Sequence, residues 1–271
     1  MKMKNKMLKK IIPVIIICVM VMGSSVMAYA YSTYSNWENN TVYGISYDYR
    51  AATYERYLTP SNTLEALADI KTTNNINVPA GYIGGQTFLQ DEYGNVSAYN
   101  TSPIYNQSLT SEYMVSSPRI SSSGNYRSKI FASFYAGDYY LTYMTEWTPY
   151  ASITNRKSSD EEIVVVPSHE LGEKDDIKVA WNSLGSGLVN IDELPELMPV
   201  VAKDGTTGYI KTKDVIKVPK TIEEALEMTE NAYADQVLPL YNRDGEVIGE
   251  IVNSYGDTEE MGLEFKASLS D

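Results

Sequence analysis

One cysteine among 271 residues, and that one at position 18 within an N-terminal apolar run, leaves no material for a disulfide framework once that run is removed. Stability must then come from buried apolar surface, which the 241 residues after Ala30 are numerous enough to supply. Positive charge is also scarce. All 35 carboxylates and 17 of the 22 Lys and Arg residues follow Ala30, so the processed chain carries 18 net negative charges. An excess of that size repels nucleic acid and anionic lipid at long range, so neither is expected as a partner.

The start of the chain is, by contrast, basic. Lys2, Lys4, Lys6, Lys9 and Lys10 precede an apolar run from Ile11 to Met22, and a short, weakly polar stretch ends in Ala28-Tyr29-Ala30. A basic region, an apolar region too short for a comfortable membrane span, and a small-x-small site in that order predict a secretory signal peptide cleaved after Ala30. Ile17 before Cys18 is not the small residue of a lipoprotein signal. Export, then, with the protein released or held at the cell wall and with no membrane segment after cleavage, is the expected localisation. An exported chain without cysteine fits a Gram-positive bacterium.

Charge and tyrosine divide unevenly along the rest. Residues 31–155 hold 10 acids and 6 bases, residues 156–271 hold 25 acids and 11 bases, and 18 of the 23 tyrosines lie within 31–150. The expected organisation is a signal peptide (1–30), a Tyr-rich β domain (31–150), a linker (151–176), a small acidic α+β domain (177–253) and a polar, frayed tail (254–271). The fold class expected is mainly β: an N-terminal antiparallel sandwich or barrel followed by a small α+β domain.

In the first half, Thr41–Arg50 alternates in polarity and is rich in β-formers, with Tyr43, Ile45, Tyr47 and Tyr49 sharing one face. Leu64–Ile70 carries the half's one helical pattern, with Ser61 or Asn62 as its cap. Tyr82–Gln90 and Val96–Thr101 read as strands around a turn at 91–95. Tyr126–Tyr135 and Tyr139–Trp147 form the clearest hairpin, turning at Ala136-Gly137-Asp138. Short strands at this spacing point to a sandwich or barrel. Asp91, Glu92 and Asp138 sit in turn contexts, so no acid pair stands out as a glycosidase site.

The linker holds the only histidine, His169, heading His-Glu-Leu-Gly-Glu173. The zinc-protease helix motif needs a second histidine where Glu173 stands, so no zinc site is expected and His169 reads as a solvated loop residue. Beyond it, Ile177–Trp181 reads as a strand, Leu197–Ala202 and Gly208–Lys211 as a hairpin about Asp204-Gly205, and Val237–Tyr241 with Val247–Val252 as a second hairpin about Asp244-Gly245. Between the hairpins, Thr221-Ile-Glu-Glu224 is a capping box, and Ile222, Ala225, Leu226, Thr229 and Tyr233 form an apolar stripe, predicting a helix from about Ile222 to Tyr233. No catalytic, cofactor-binding or metal-ligating set emerges.

Three stretches, Gly208-Tyr-Ile-Lys-Thr-Lys-Asp-Val215, Pro219-Lys-Thr-Ile-Glu-Glu-Ala-Leu226 and Leu238-Pro-Leu-Tyr-Asn-Arg-Asp-Gly-Glu-Val-Ile-Gly-Glu250, together resemble a C-terminal module of secreted Gram-positive proteins, some of them labelled after a β-lactam-sensing zinc peptidase. The label implies zinc chemistry for which this chain lacks ligands, and the resemblance brings no catalytic residue to carry over. Asp204-Gly205-Thr-Thr-Gly208-Tyr209-Ile210 is also similar to the hairpin of bacterial SH3 domains, which implies cell-wall binding. The N-terminal half, with Ala80-Gly-Tyr-Ile-Gly84 and Gly124-Asn-Tyr-Arg-Ser-Lys129, resembles the β domain that accompanies this module and, distantly, the lactococcin-type bacteriocins.

These readings favour a secreted or envelope-associated binding protein without enzymatic activity, whose partner is a cell-wall glycan or a surface protein. A bacteriocin-like toxin and a hydrolase built on converging carboxylates are the alternatives. Exposed tyrosines offer flat stacking area with a polar edge, which makes Tyr135, Tyr139, Tyr140 and Tyr143 the candidate ligand-binding residues. Strand alternation puts Tyr139 and Tyr143 on one face and Tyr140 on the other.

Overall fold

The structure, a computed structural model, describes residues 32–57, 62–154, 176–254 and 262–267. The expected signal segment with Ala28 and Ala30, and most of the expected linker with His169, lie outside the described residues. The fold is mainly β. No helix among the described residues is long and apolar enough to cross a membrane.

Two sheets are present among the described residues. In the smaller, β1 (Ser32–Tyr34), β3 (Ile45–Tyr57), β4 (Asn62–Thr72) and β8 (Glu112–Ser116) lie in that order, and β2 (Glu38–Val42) also pairs with β3. The larger runs β12 (Gly187–Leu188), β10 (Tyr140–Met144), β9 (Gly124–Tyr135), β5 (Ile83–Asp91), β6 (Val96–Tyr99), β13 (Leu197–Val201), β14 (Thr207–Lys211), β15 (Gln236–Tyr241), β16 (Val247–Ser254), β17 (Gly262–Ala267); β11 (Ala151–Ile153) pairs with β9, and β7 (Ile104–Tyr105) with β5. The sheets face each other over a core in which Tyr47, Tyr49, Ala51 and Ile70 of the small sheet meet Ile83, Ile130, Ala132 and Phe134 of the large one. The Tyr47 and Phe134 rings stack with centroids 4.2 Å apart. Alternation along β3 explains this: Tyr47, Tyr49 and Ala51 point inward while Asp48 and Arg50 face out. The three α-helices among the described residues are short: α1 (Asp176–Asn182), α2 (Thr212–Val215) and α3 (Ile222–Asn231).

Helix α3 starts where its cap predicts. The Glu224 amide donates to the Thr221 hydroxyl at 3.2 Å, while the Glu224 carboxylate reaches back one residue further than in a strict capping box, accepting from the Lys220 amide at 2.8 Å.

Four expectations are corrected. Leu64–Ile70 is not a helix but the middle of β4, an 11-residue strand held between β3 and β8, where two-sided pairing overrides the helix preference of Leu, Glu and Ala. Ile177–Trp181 is helical, within α1, and buries Trp181. Part of the tail expected to fray supplies β17, paired with β16 along its length.

The fourth correction concerns the two domains. The described residues, from Ser32 to Ala267, belong to one compact unit. Phe88, Tyr99 and Phe131 from the first half share a core with Trp181, Met198, Ile210, Leu240 and Leu263 from the second. The large sheet crosses between the halves through a parallel pairing of Val96 with Val200. Polar bonds cross too: the Asn253 side chain donates to the Tyr99 carbonyl at 2.9 Å, the Gln86 amide to the Val215 carbonyl at 2.9 Å, and the Tyr105 backbone amide to the Thr229 hydroxyl at 2.7 Å. Charge and tyrosine counts are one-dimensional, and they carry no information about which apolar faces meet. A chain cut between Arg156 and Lys157 is therefore expected to elute as one species under native conditions and to separate only in denaturant. Separation of the two fragments in native buffer would show that the shared core is not what holds them.

Candidate functional site

The site is built from two hairpin tips that meet. At the first, β2 and β3 are joined by Tyr43-Gly44, with Val42 paired to Ile45. Both turn residues have positive φ, 50° and 77°. This is the geometry of a type I′ hairpin, in which glycine is at ease and a bulky tyrosine is strained. The Tyr43 side chain is 68 % exposed.

At the second tip, β9 and β10 are joined through Gly137, also at positive φ. A Cβ on Gly137 would come within 2.8 Å of the Tyr43 ring, so the bare glycine lets the two tips close on one another. The Tyr135 hydroxyl donates to the Gly137 carbonyl and fixes the turn. Beside it the Tyr82 ring, at the start of β5, lies 4.9 Å from that of Tyr135. Tyr139 is half exposed at the crest of the turn.

The four tyrosines expected from the sequence separate here. Tyr135 and Tyr139 stand at the tip. Tyr140 lies beneath it, 6 % exposed, its hydroxyl donating to the Gly81 carbonyl at 2.7 Å and its ring 5.2 Å from the Tyr105 ring. Burial raises its pKa above the ordinary tyrosine range. Tyr140 is thus a core residue and offers no face to a ligand. Tyr143 is half-buried over the sandwich core, 6.1 Å from the Tyr49 ring and 6.0 Å from that of Phe134. In their place Tyr43 and Tyr82 join the surface. The signal for Tyr43 was present as Tyr-Gly between two alternating runs, a two-residue turn sequence.

One other aromatic surface is already engaged. On the outer face of the small sheet, the Arg50 guanidinium sits 4.1 Å from the Tyr34 ring and 4.2 Å from that of Trp37, and the Lys71 ammonium is 4.4 Å from Trp37. Asp69 holds Arg50 at 2.9 Å. Cations therefore cover ring faces that a ligand would need.

Two carboxylates distant in sequence do converge. Glu38 accepts from the Glu146 backbone amide at 3.0 Å, and burial raises its pKa against that bond. Glu146 in turn accepts from the Ser186 amide at 3.1 Å. Each carboxylate thus holds a loop rather than facing an open cleft. Behind them Lys129, 1 % exposed, donates to the Leu184 carbonyl, and its ammonium is 4.9 Å from the Trp147 ring. Burial lowers the Lys129 pKa to about 8. Among the described residues no group of three or more His, Cys, Asp or Glu is placed to hold a metal ion.

No family model matches the chain, and neither the curated proteins nor the solved structures compared with it return a match.

Proposed function

We propose that this is an exported binding protein of a Gram-positive cell envelope, without catalytic activity, that recognises a cell-wall glycan through the tyrosine tip formed by Tyr43, Tyr82, Tyr135 and Tyr139. The observation that carries this reading is Tyr43. A bulky ring is kept at a left-handed turn position, with most of its surface in solvent, where glycine or asparagine would relieve the strain. Strain of this kind at an exposed residue accompanies function more readily than it accompanies folding. Tyrosine suits the task because its ring stacks on the C–H face of a sugar while its hydroxyl bonds at the edge.

The test is retention of the intact chain on purified Gram-positive cell wall. The double variant Tyr43→Ala/Tyr139→Ala is expected to lose about tenfold in apparent affinity, which corresponds to about 1.4 kcal/mol. Tyr140→Phe removes only a buried hydroxyl and serves as the control for the fold. Equal retention of the double variant would overturn the assignment of the tip. Growth inhibition by the unretained protein would favour the toxin reading in its place.

A further inference from the structure

At the far end of β5 and β9 from the tyrosine tip, the structure holds a cleft of about 330 Å³. Its walls come from three stretches remote in sequence. Asp91 and Ser97 belong to the β5–β6 hairpin, Ser122 and Tyr126 to the segment leading into β9, and Ala202 and Lys203 to the β13–β14 turn. The cleft therefore exists only because the two halves of the chain share one sheet.

Its polar lining is mostly hydroxyl. Ser97 is about nine-tenths buried, and its hydroxyl has no hydrogen-bond partner among the described residues. Buried polar atoms of a folded protein are nearly all satisfied, so the Ser97 hydroxyl at the cleft wall is left to a water or to a hydroxyl of a ligand. The carboxylate is poorly suited to a cationic ligand: Asp91 already accepts from the backbone amides of Tyr93 at 3.0 Å and Asn95 at 2.8 Å and from the Asn95 side chain at 3.1 Å. Serine and tyrosine hydroxyls both donate and accept, which matches a neutral ligand carrying hydroxyls of its own. Ile120, Val201 and Ala202 supply an apolar wall opposite.

We infer that this cleft is a binding site for a single neutral sugar ring, separate from the tyrosine tip. The volume lies at the low end of ligand sites, which fits one ring and not an oligosaccharide. Hydroxyls of the ring satisfy Ser97 and the serines of the rim, and its C–H face rests on Ala202 and Val201.

Saturation-transfer NMR of the intact chain tests this, with glucose and N-acetylglucosamine as probes and alanine as the zwitterionic comparison. Saturation of at least one sugar and not of alanine is expected. The signal should fall at least fivefold in Ser122→Trp, which fills the mouth, and in Ser97→Val, and should survive Tyr43→Ala/Tyr139→Ala. The thermal midpoint of each variant, unchanged from the parent, separates lost binding from lost fold; if Ser97→Val fails to fold, Ser122→Trp at the rim decides alone. No saturation of either sugar, equal saturation in Ser122→Trp, or preference for alanine would overturn the inference. Loss of the signal only in the tip variant would place the sugar at the tip instead. Because wall retention reads the tip and the monosaccharide reads the cleft, either can fail without the other.

Discussion

Gly84→Ala is expected to destabilise the protein by about 3 kcal/mol or more, the upper range for overpacking a closed core. A Cβ at position 84 would lie 2.3 Å from the ring of Tyr105. That ring has no room to retreat. Tyr105 is fully buried, its hydroxyl donates to the Ser133 hydroxyl at 2.9 Å, and its other side meets the Tyr140 ring. The backbone cannot yield either, since Gly84 is paired with Ser133 of β9 on one side and with Tyr105 of β7 on the other. Chemical denaturation should show a large fall in midpoint with the slope unchanged. Adding Tyr105→Leu should recover part of the loss by vacating the ring's place. A loss below about 1 kcal/mol would mean that the two strands separate more easily than their pairing implies.

The second large effect is a pH dependence centred on Lys129. Its folded pKa is lowered to about 8 from 10.5, first by burial, with Arg127 acting in the same direction and Glu146 and Glu38 opposing. Across the window between those values the unfolded chain holds a proton that the native chain has released. Stability therefore rises with pH through that window, by about 1–3 kcal/mol, relative to a chain without the group. Buried tyrosines act in the opposite sense. Burial raises Tyr47 and Tyr126 to about 12, so the unfolded chain releases their protons first and stability is lost as pH passes 10. The useful quantity is thus the difference between the parent and Lys129→Met, in which the tyrosine contribution cancels. The parent should gain on the variant between about pH 7.5 and pH 10.5. A difference independent of pH would show that the amine is solvated.

The β9–β10 hairpin could be read from the sequence because its alternation is strict and its turn short. The α3 cap could be read because Thr221 and Glu224 have the right spacing. In β4, by contrast, Leu64-Glu65-Ala66-Leu67-Ala68 is helical in composition, and what makes it a strand is the presence of β3 on one side and, on the other, of β8, which begins only at Glu112. β17 escaped notice because the acids ahead of it, Asp257, Glu259 and Glu260, dominate a tail in which Leu263 and Phe265 alternate with Glu264 and Lys266 for only six residues, too few to stand out until β16 gives them a partner. The tip was half visible. Tyr135 and Tyr139 could be nominated from the hairpin, but the burial of Tyr140 depends on Gly81 and Tyr105 approaching from other strands. The cleft had no sequence signature at all, since no two of its three walls are neighbours along the chain.

The shared core also bears on the order in which the fold can be made. Tyr99 receives its hydrogen bond from Asn253, 154 residues later, and the same cluster includes Leu263. The first half therefore leaves the ribosome without the side chains that close its own interior. Contacts of such long separation make folding slow. If the chain is exported as proposed, that delay is useful. A nascent polypeptide that cannot complete this core until residue 263 has been synthesised would stay open to a translocation channel for nearly the whole of its synthesis.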